Sequence, residues 1–145
     1  GGLEVRELSA AMPLQMFERA VGVPGLRGNA SLRFERLRLV NGRAVALDGT
    51  VDVNGLVVPM AYRASLGGFR AEFFTQNNGI VGSIEDVDGI LDLAGTLTLS
   101  PERAYAFRGL ITPKPATPDS LRRQIEFLPR TDQPDQHEIR LEGSY

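Results

Sequence analysis

The sequence predicts a mainly β fold: a strongly curved antiparallel sheet or partial barrel with two short helices. One of those helices is expected to cover the concave face or an open end. Three observations carry this. Apolar residues alternate with polar ones over most of the chain's middle, as in Leu91, Leu93, Gly95, Leu97 and Leu99 against Asp92, Thr96 and Thr98. Tight-turn signals such as Asn41-Gly42 separate those runs at short intervals. Glycine recurs inside the runs, where it packs nothing and costs chain entropy, so it needs a structural reason. With 145 residues and 42% apolar content the chain suits a single domain spanning 1–145 with its own core.

The strands follow in order. Leu26 to Val40 places Ala30, Leu32 and Phe34 at alternate positions, then Leu37 and Leu39. The alternation slips by one at Glu35-Arg36, which is what a β-bulge produces. After Asn41-Gly42 the return strand carries Val45, Leu47, Gly49, Val51 and Val53 on one face and Asp48, Thr50 and Asp52 on the other. Met60 to Leu66 is the next strand candidate, and Phe69 to Gln76 pairs back after Gly67-Gly68. Asn77-Asn78-Gly79 forms a turn, Ile90 to Leu99 a strand, and Ser100-Pro101-Glu102 turns the chain into Tyr105, Phe107 and Gly109. His137 to Tyr145 closes the sheet, with Ile139, Leu141, Gly143 and Tyr145 on one face. Eight to ten strands are expected, a usual number for a sheet.

Two helices interrupt the meander. Leu14, Phe17 and Val21 share a face over Pro13 to Val21, which Gly22 and Pro24 stop. The second takes Thr117 as N-cap and Pro118 as its first residue, with Leu121, Ile125 and Leu128 as its stripe and Pro129 as its stop. The Pro-rich stretch before it, Thr112 to Pro118, is an extended crossover.

An apolar-x-Gly-small unit recurs around Gly28, Gly49, Gly95 and Gly143. The structural reading is that these glycines bend the sheet. The functional reading is close backbone approach to a ligand or an added strand.

The chemistry-bearing residues are few. A formal net charge of -2 gives no footprint for nucleic acid. The absence of Cys excludes thiol catalysis and Cys-ligated metal, and leaves the redox compartment open. No phosphate-binding loop, dinucleotide fingerprint or nucleophile elbow is present. His137, the sole histidine, has no Ser or Cys motif to frame it and reads as an edge or partly buried side chain. Glu85, Asp86, Asp88 and Asp92 contain an Asp-x-Asp-Gly but lack the remaining ligands of a calcium loop, and they read as a turn. Asp48, Asp52 and Glu72 sit at positions where an outward strand face holds carboxylates by default. No catalytic, cofactor or metal residues are assigned, and the expectation is a protein that is not an enzyme.

What remains is contact surface. Arg33, Arg36, Arg38 and Arg43 cluster on one hairpin, answered by Glu35, Asp48 and Asp52. Phe73 and Phe74 are adjacent in one strand and face opposite ways, so one of them leaves a single-sided core. Arg36, Arg38, Phe73 and Phe74 are therefore the candidate partner-binding residues.

A short helix followed by Val23-Pro24-Gly25-Leu26-Arg27-Gly28-Asn29-Ala30-Ser31-Leu32, then Ala46-Leu47-Asp48-Gly49-Thr50, resembles the type II secretion system protein N family. The ending is similar as well: a helix over Asp119 to Leu128, then Asp132 to Asp135, then Ile139-Arg140-Leu141-Glu142-Gly143-Ser144. The resemblance runs from about Met12 to Tyr145, with Ile84 to Ser100 fitting only by its strand–Gly–strand rhythm. It implies an accessory component of the machine that exports folded proteins across the outer membrane. It further implies a periplasmic domain held at the inner membrane by one N-terminal helix, with other secretion components as partners and no cofactor. The chain opens Gly-Gly without Met, as a processed end would, so that anchor is expected to precede it. A bent, glycine-rich sheet is also similar in architecture to AsmA-like envelope proteins, and that implies an alternative, a lipid-binding groove.

Overall fold

In a computed structural model describing residues 1–77 and 79–144, with Ala20 described by its backbone alone, the chain forms one antiparallel sheet of eight strands in sequence order. The strands are β1 (Gly2–Pro13), β2 (Arg27–Val40), β3 (Arg43–Val57), β4 (Gly68–Gln76), β5 (Gly79–Val87), β6 (Leu91–Leu99), β7 (Ala104–Pro113) and β8 (His137–Ser144). β1 and β8 are its two edges, and the sheet is not closed. Asn78 of the expected Asn-Asn-Gly turn and Tyr145 of the expected terminal face lie outside the described residues.

Register fixes the faces. Leu3, Val5, Leu8, Ala10 and Met12 of β1 stand opposite Leu39, Leu37, Phe34, Leu32 and Ala30 of β2. That apolar face continues through Val51 and Val53, Phe69 and Phe73, Ile80 and Ile84, Leu91 to Leu99, and Ile111 to Ile139. The slip read at Glu35 is a bulge: Phe34 pairs with Gly49 and Arg36 with Asp48, which leaves Glu35 as the extra residue. It turns Arg36 and Arg38 to the polar face while Leu37 and Leu39 stay on the apolar one. Asn41 and Gly42 both adopt positive φ, 51° and 76°, and close the β2–β3 hairpin.

Three expectations are corrected. Residues 2–12 and 80–87, assigned to no element above, are strand: the former make up β1 together with Pro13, and the latter belong to β5. Met60 to Leu66 is not a strand. The Val58 carbonyl accepts from both the Ala61 and Tyr62 amides, which winds the chain into a turn after Pro59, and β3 pairs directly with β4. The helix expected over Pro13 to Val21 is a 3₁₀ turn (Leu14–Phe17) running into a single α-turn, α1 (Glu18–Val21), neither with a side-chain cap.

The second helix, α2, spans Asp119–Ile125 with Pro118 at its N-cap. Thr117 does not cap it. Its hydroxyl donates to the Ile90 carbonyl and accepts the Lys114 amide at 2.8 Å, so it ties the crossover to the start of β6. Leu121 and Ile125 bury against Leu66, Phe69 and Leu91, the main hydrophobic cluster. Each contributes roughly 2 kcal/mol of apolar burial. That packing positions α2 against the sheet.

Candidate functional site

The apolar face holds a cavity of about 620 Å³. Its wall takes Val53 and Leu56 from β3, Phe69 from β4, Ile84 from β5, Leu91 and Leu93 from β6, Phe107 and Ile111 from β7, and Ile139 from β8. Leu121, Ile125 and Leu128 line it from the helical segment, and Leu14, Val21 and Leu26 from the N-terminal turn. Gln124 is the one polar side chain of the lining, and its amide is committed, donating to the Ala61 carbonyl at 2.8 Å. A space so lined accepts apolar matter.

The strand glycines shape that wall in two ways. Gly28 and Gly49 adopt φ of 136° and 149° beside register irregularities of the β2–β3 ladder. Gly95 and Gly143 stand in regular register, and a ring covers each: a Cβ would lie 2.7 Å from Phe107 Cε1 at Gly95 and 2.7 Å from Tyr105 Cε1 at Gly143. Gly82 sits likewise beneath the Phe73 ring. An aromatic laid over a strand glycine restores the packing that the missing side chain forfeits.

The four candidate contact residues divide between the faces. Phe73 faces the apolar side, opposite Gly49 and Gly82. Phe74 faces the polar side opposite Val81 and is 43% exposed. Arg36 and Arg38 share the polar face with Phe74, two strands away. The Arg36 guanidinium pairs with Glu4 of β1 at 3.1 Å rather than with Asp48 across the hairpin. Asp48 instead accepts the Thr75 amide at 2.9 Å and its hydroxyl at 3.1 Å, and Asp52 pairs with Arg70 at 2.8 Å. The expected Arg–Asp answering across β2 and β3 is thus replaced by bonds from β3 to β4 and from β2 to β1.

Two further groups carry charge or polarity. His137 is 1% exposed, and its Nδ1 lies 2.9 Å from the Leu128 carbonyl, the geometry of an Nδ1–H donor holding the end of the helical segment to β8. The acidic stretch read as a turn is a turn only at Asp88, since Glu85 and Asp86 end β5 and Asp92 lies in β6; there the Lys114 ammonium donates to Asp86 at 3.0 Å and to the Gly89 carbonyl at 2.9 Å, with Asp92 at 3.5 Å. The cation of that cluster is therefore the chain's single lysine. Burial pushes the Asp86 carboxyl up, but the Leu93 amide and Lys114 outweigh it and hold it below the usual range. The hydrogen bond to Asp86 raises Lys114 in turn. Sequence reasoning did not pair these groups, because they meet only when β7 lies beside β6.

The family model for the type II secretion system (T2SS) protein N matches residues 1–140. The chain belongs to that family. No curated protein and no solved structure matches it. Membership makes the chain a component of the type II secretion system, whose other components are its implied partners. Among the described residues no helix is long and apolar enough to cross a membrane, which says nothing of strands.

Proposed function

We propose that this T2SS protein N domain is a non-enzymatic accessory component that acts in the periplasm, at the inner membrane, by docking other components of the machine. The observation that carries the reading is Phe74, a ring 43% exposed on the polar face of an open sheet. At its two edges Leu3 is 55% and Leu141 51% exposed. Six strands, β3 to β8, contribute to one cavity wall. Laid flat they would spread over about 24 Å at ~4.8 Å per strand. In this reading the sheet is strongly curved and α2 lies over its concave side.

Docking is assigned to the polar face around Phe74 with Arg36 and Arg38, where an exposed ring stands among charges that can choose a partner. The test is capture of the system's other inner-membrane components by the purified domain. Phe74→Glu should abolish capture while circular dichroism stays that of the wild type. Undiminished capture by a folded variant would overturn this surface.

A second reading is favoured by the cavity itself: a groove for one acyl chain of an envelope lipid. A volume of about 620 Å³ with an apolar lining suits hydrocarbon. Native mass spectrometry of freshly purified protein decides it. Co-purified lipid supports the groove, and an empty protein disfavours it.

A further inference from the structure

We propose that β8 is a self-docking edge, which pairs antiparallel with β8 of a second copy about a two-fold axis at Leu141. The inference does not depend on the secretion role or on a lipid in the cavity. It begins with a difference between the two edges. Sheets protect their edges with bulges, prolines and kinks, because a regular edge is a template for another strand. β1 has such protection: Glu7 takes a φ of 54° in its middle, and Pro13 ends it. β8 has none. Its pairing with β7 is regular throughout, and Arg140 to Ser144 are all exposed.

The hydrogen-bond phase of that edge is known. The Glu138 amide donates outward to the Pro129 carbonyl at 2.9 Å, so Arg140 and Glu142 also direct their amides and carbonyls away from β7. A second β8 must therefore form its hydrogen-bonded pairs at these even positions. The register that does so about Leu141 places Arg140 opposite Glu142 of the other copy, twice. It places Leu141 against Leu141 and Ile139 against Gly143, all on the apolar face. The segment that covers Glu138 lies beyond these pairs.

Charge selects this arrangement over docking onto β1. Of the two carboxylates of β1, Glu4 already holds Arg36 at 3.1 Å and Arg6 at 3.5 Å, and Glu7 stands at the left-handed kink, outside the regular ladder. On β8, Glu138 is claimed by both Arg108 and Arg140, while Glu142 makes no ion pair among the described residues. The two-fold register gives Glu142 its cation and relieves the competition at Glu138. It also covers Leu141 and joins two eight-stranded sheets into one with a continuous apolar face. An isologous pair of this kind closes on itself and does not propagate.

Sedimentation across a concentration series reads the association, which a single strand pair should make weak. A reversible monomer–dimer equilibrium is expected. Arg140→Glu and Glu142→Arg should each weaken it about tenfold, and the double variant should restore it to within about threefold of wild type. Because the protein has no cysteine, Leu141→Cys gives a second readout. Residues opposite each other in a non-hydrogen-bonded pair stand about 4.5 Å apart, within disulfide reach. Mild oxidation should link Leu141→Cys into a covalent dimer and leave Leu3→Cys monomeric. A folded protein that stays monomeric at every concentration while Leu141→Cys stays unlinked overturns the proposal. So does a mixture in which Leu3→Cys crosslinks to itself or to Leu141→Cys.

Discussion

At the scale of single residues, backbone conformation and ion pairing differ in how far sequence exposes them. Glu35 was legible, because an extra residue in one strand shifts the apolar alternation by one position and leaves that shift in the sequence. Gly49 was legible as unusual, and the structure supplies the reason. Its φ is 149°, and a Cβ there would stand 2.6 Å from Phe34 Cα and nearer still to the Arg33 carbonyl. Gly49→Ala should therefore cost about 3 kcal/mol in urea denaturation. Gly42→Ala, whose Cβ would meet nothing within 4 Å at a φ of 76°, should cost about 1 kcal/mol. Equal losses would remove the close approach as the cause. The Lys114–Asp86 pair was not legible, since 28 residues separate its members and the crossover alone brings them together. Asp86 is lowered in the folded state, so its contribution is complete above the unfolded carboxylate range and is lost as pH falls through the lowered value. Asp86→Asn should destabilise by about 2 kcal/mol at neutral pH, since it weakens charge-assisted bonds to the Leu93 amide and Lys114. The gap from wild type should narrow as pH drops below about 4. A gap that is constant from pH 7 to pH 3 would show that the carboxylate's charge is not what stabilises the fold.

At the scale of elements, β2 and β6 were read correctly, while β1 and β5 were missed. β6 alternates without a fault from Leu91 to Leu99 and was recognised in full. β1 carries the same pattern split in two, Leu3 and Val5, then Leu8, Ala10 and Met12, because Glu7 takes a left-handed conformation between them. Each half is too short to stand out alone. Met60 to Leu66 showed the opposite failure: its apolar content suggested a strand, but hydrogen bonds back to Val58 satisfy its backbone locally. The second helix was foreseen by its Leu121 and Ile125 stripe, although Thr117 proved to bind the crossover rather than cap the helix. That stripe is what holds α2 in place. Ile125→Ala should lower stability by about 2–4 kcal/mol, read as a lower urea midpoint at unchanged slope. Phe127, 90% exposed just beyond the helix, is the control, and Phe127→Ala should change stability by less than about 0.5 kcal/mol. If the two variants behave alike, packing of the helix on Leu66, Phe69 and Leu91 is not what secures it.

At the scale of the whole molecule, a simple meander follows from turn spacing, since consecutive strands joined by tight turns can only be antiparallel neighbours. The long connection from β7 to β8, through the Pro-rich crossover and α2, also returns to the adjacent position. The cavity could not be read, because alternation says which residues face inward and not whether they fill the space between them. Phe73 and Phe74 were read as facing opposite ways, and they do: neighbours in sequence are opposed in the sheet. This separation allows the two functional readings to be tested independently. Val53 lines the cavity on the apolar face. Val53→Phe places a ring in existing space, so stability should stay within about 1.5 kcal/mol of wild type. An acyl-chain groove would then lose affinity for a fluorescent fatty acid such as parinaric acid by tenfold or more, while Phe74-dependent capture of secretion components is unchanged. Undiminished fatty-acid binding would remove the cavity from the account. Loss of partner capture by the filled variant would instead place the docking site on the apolar face.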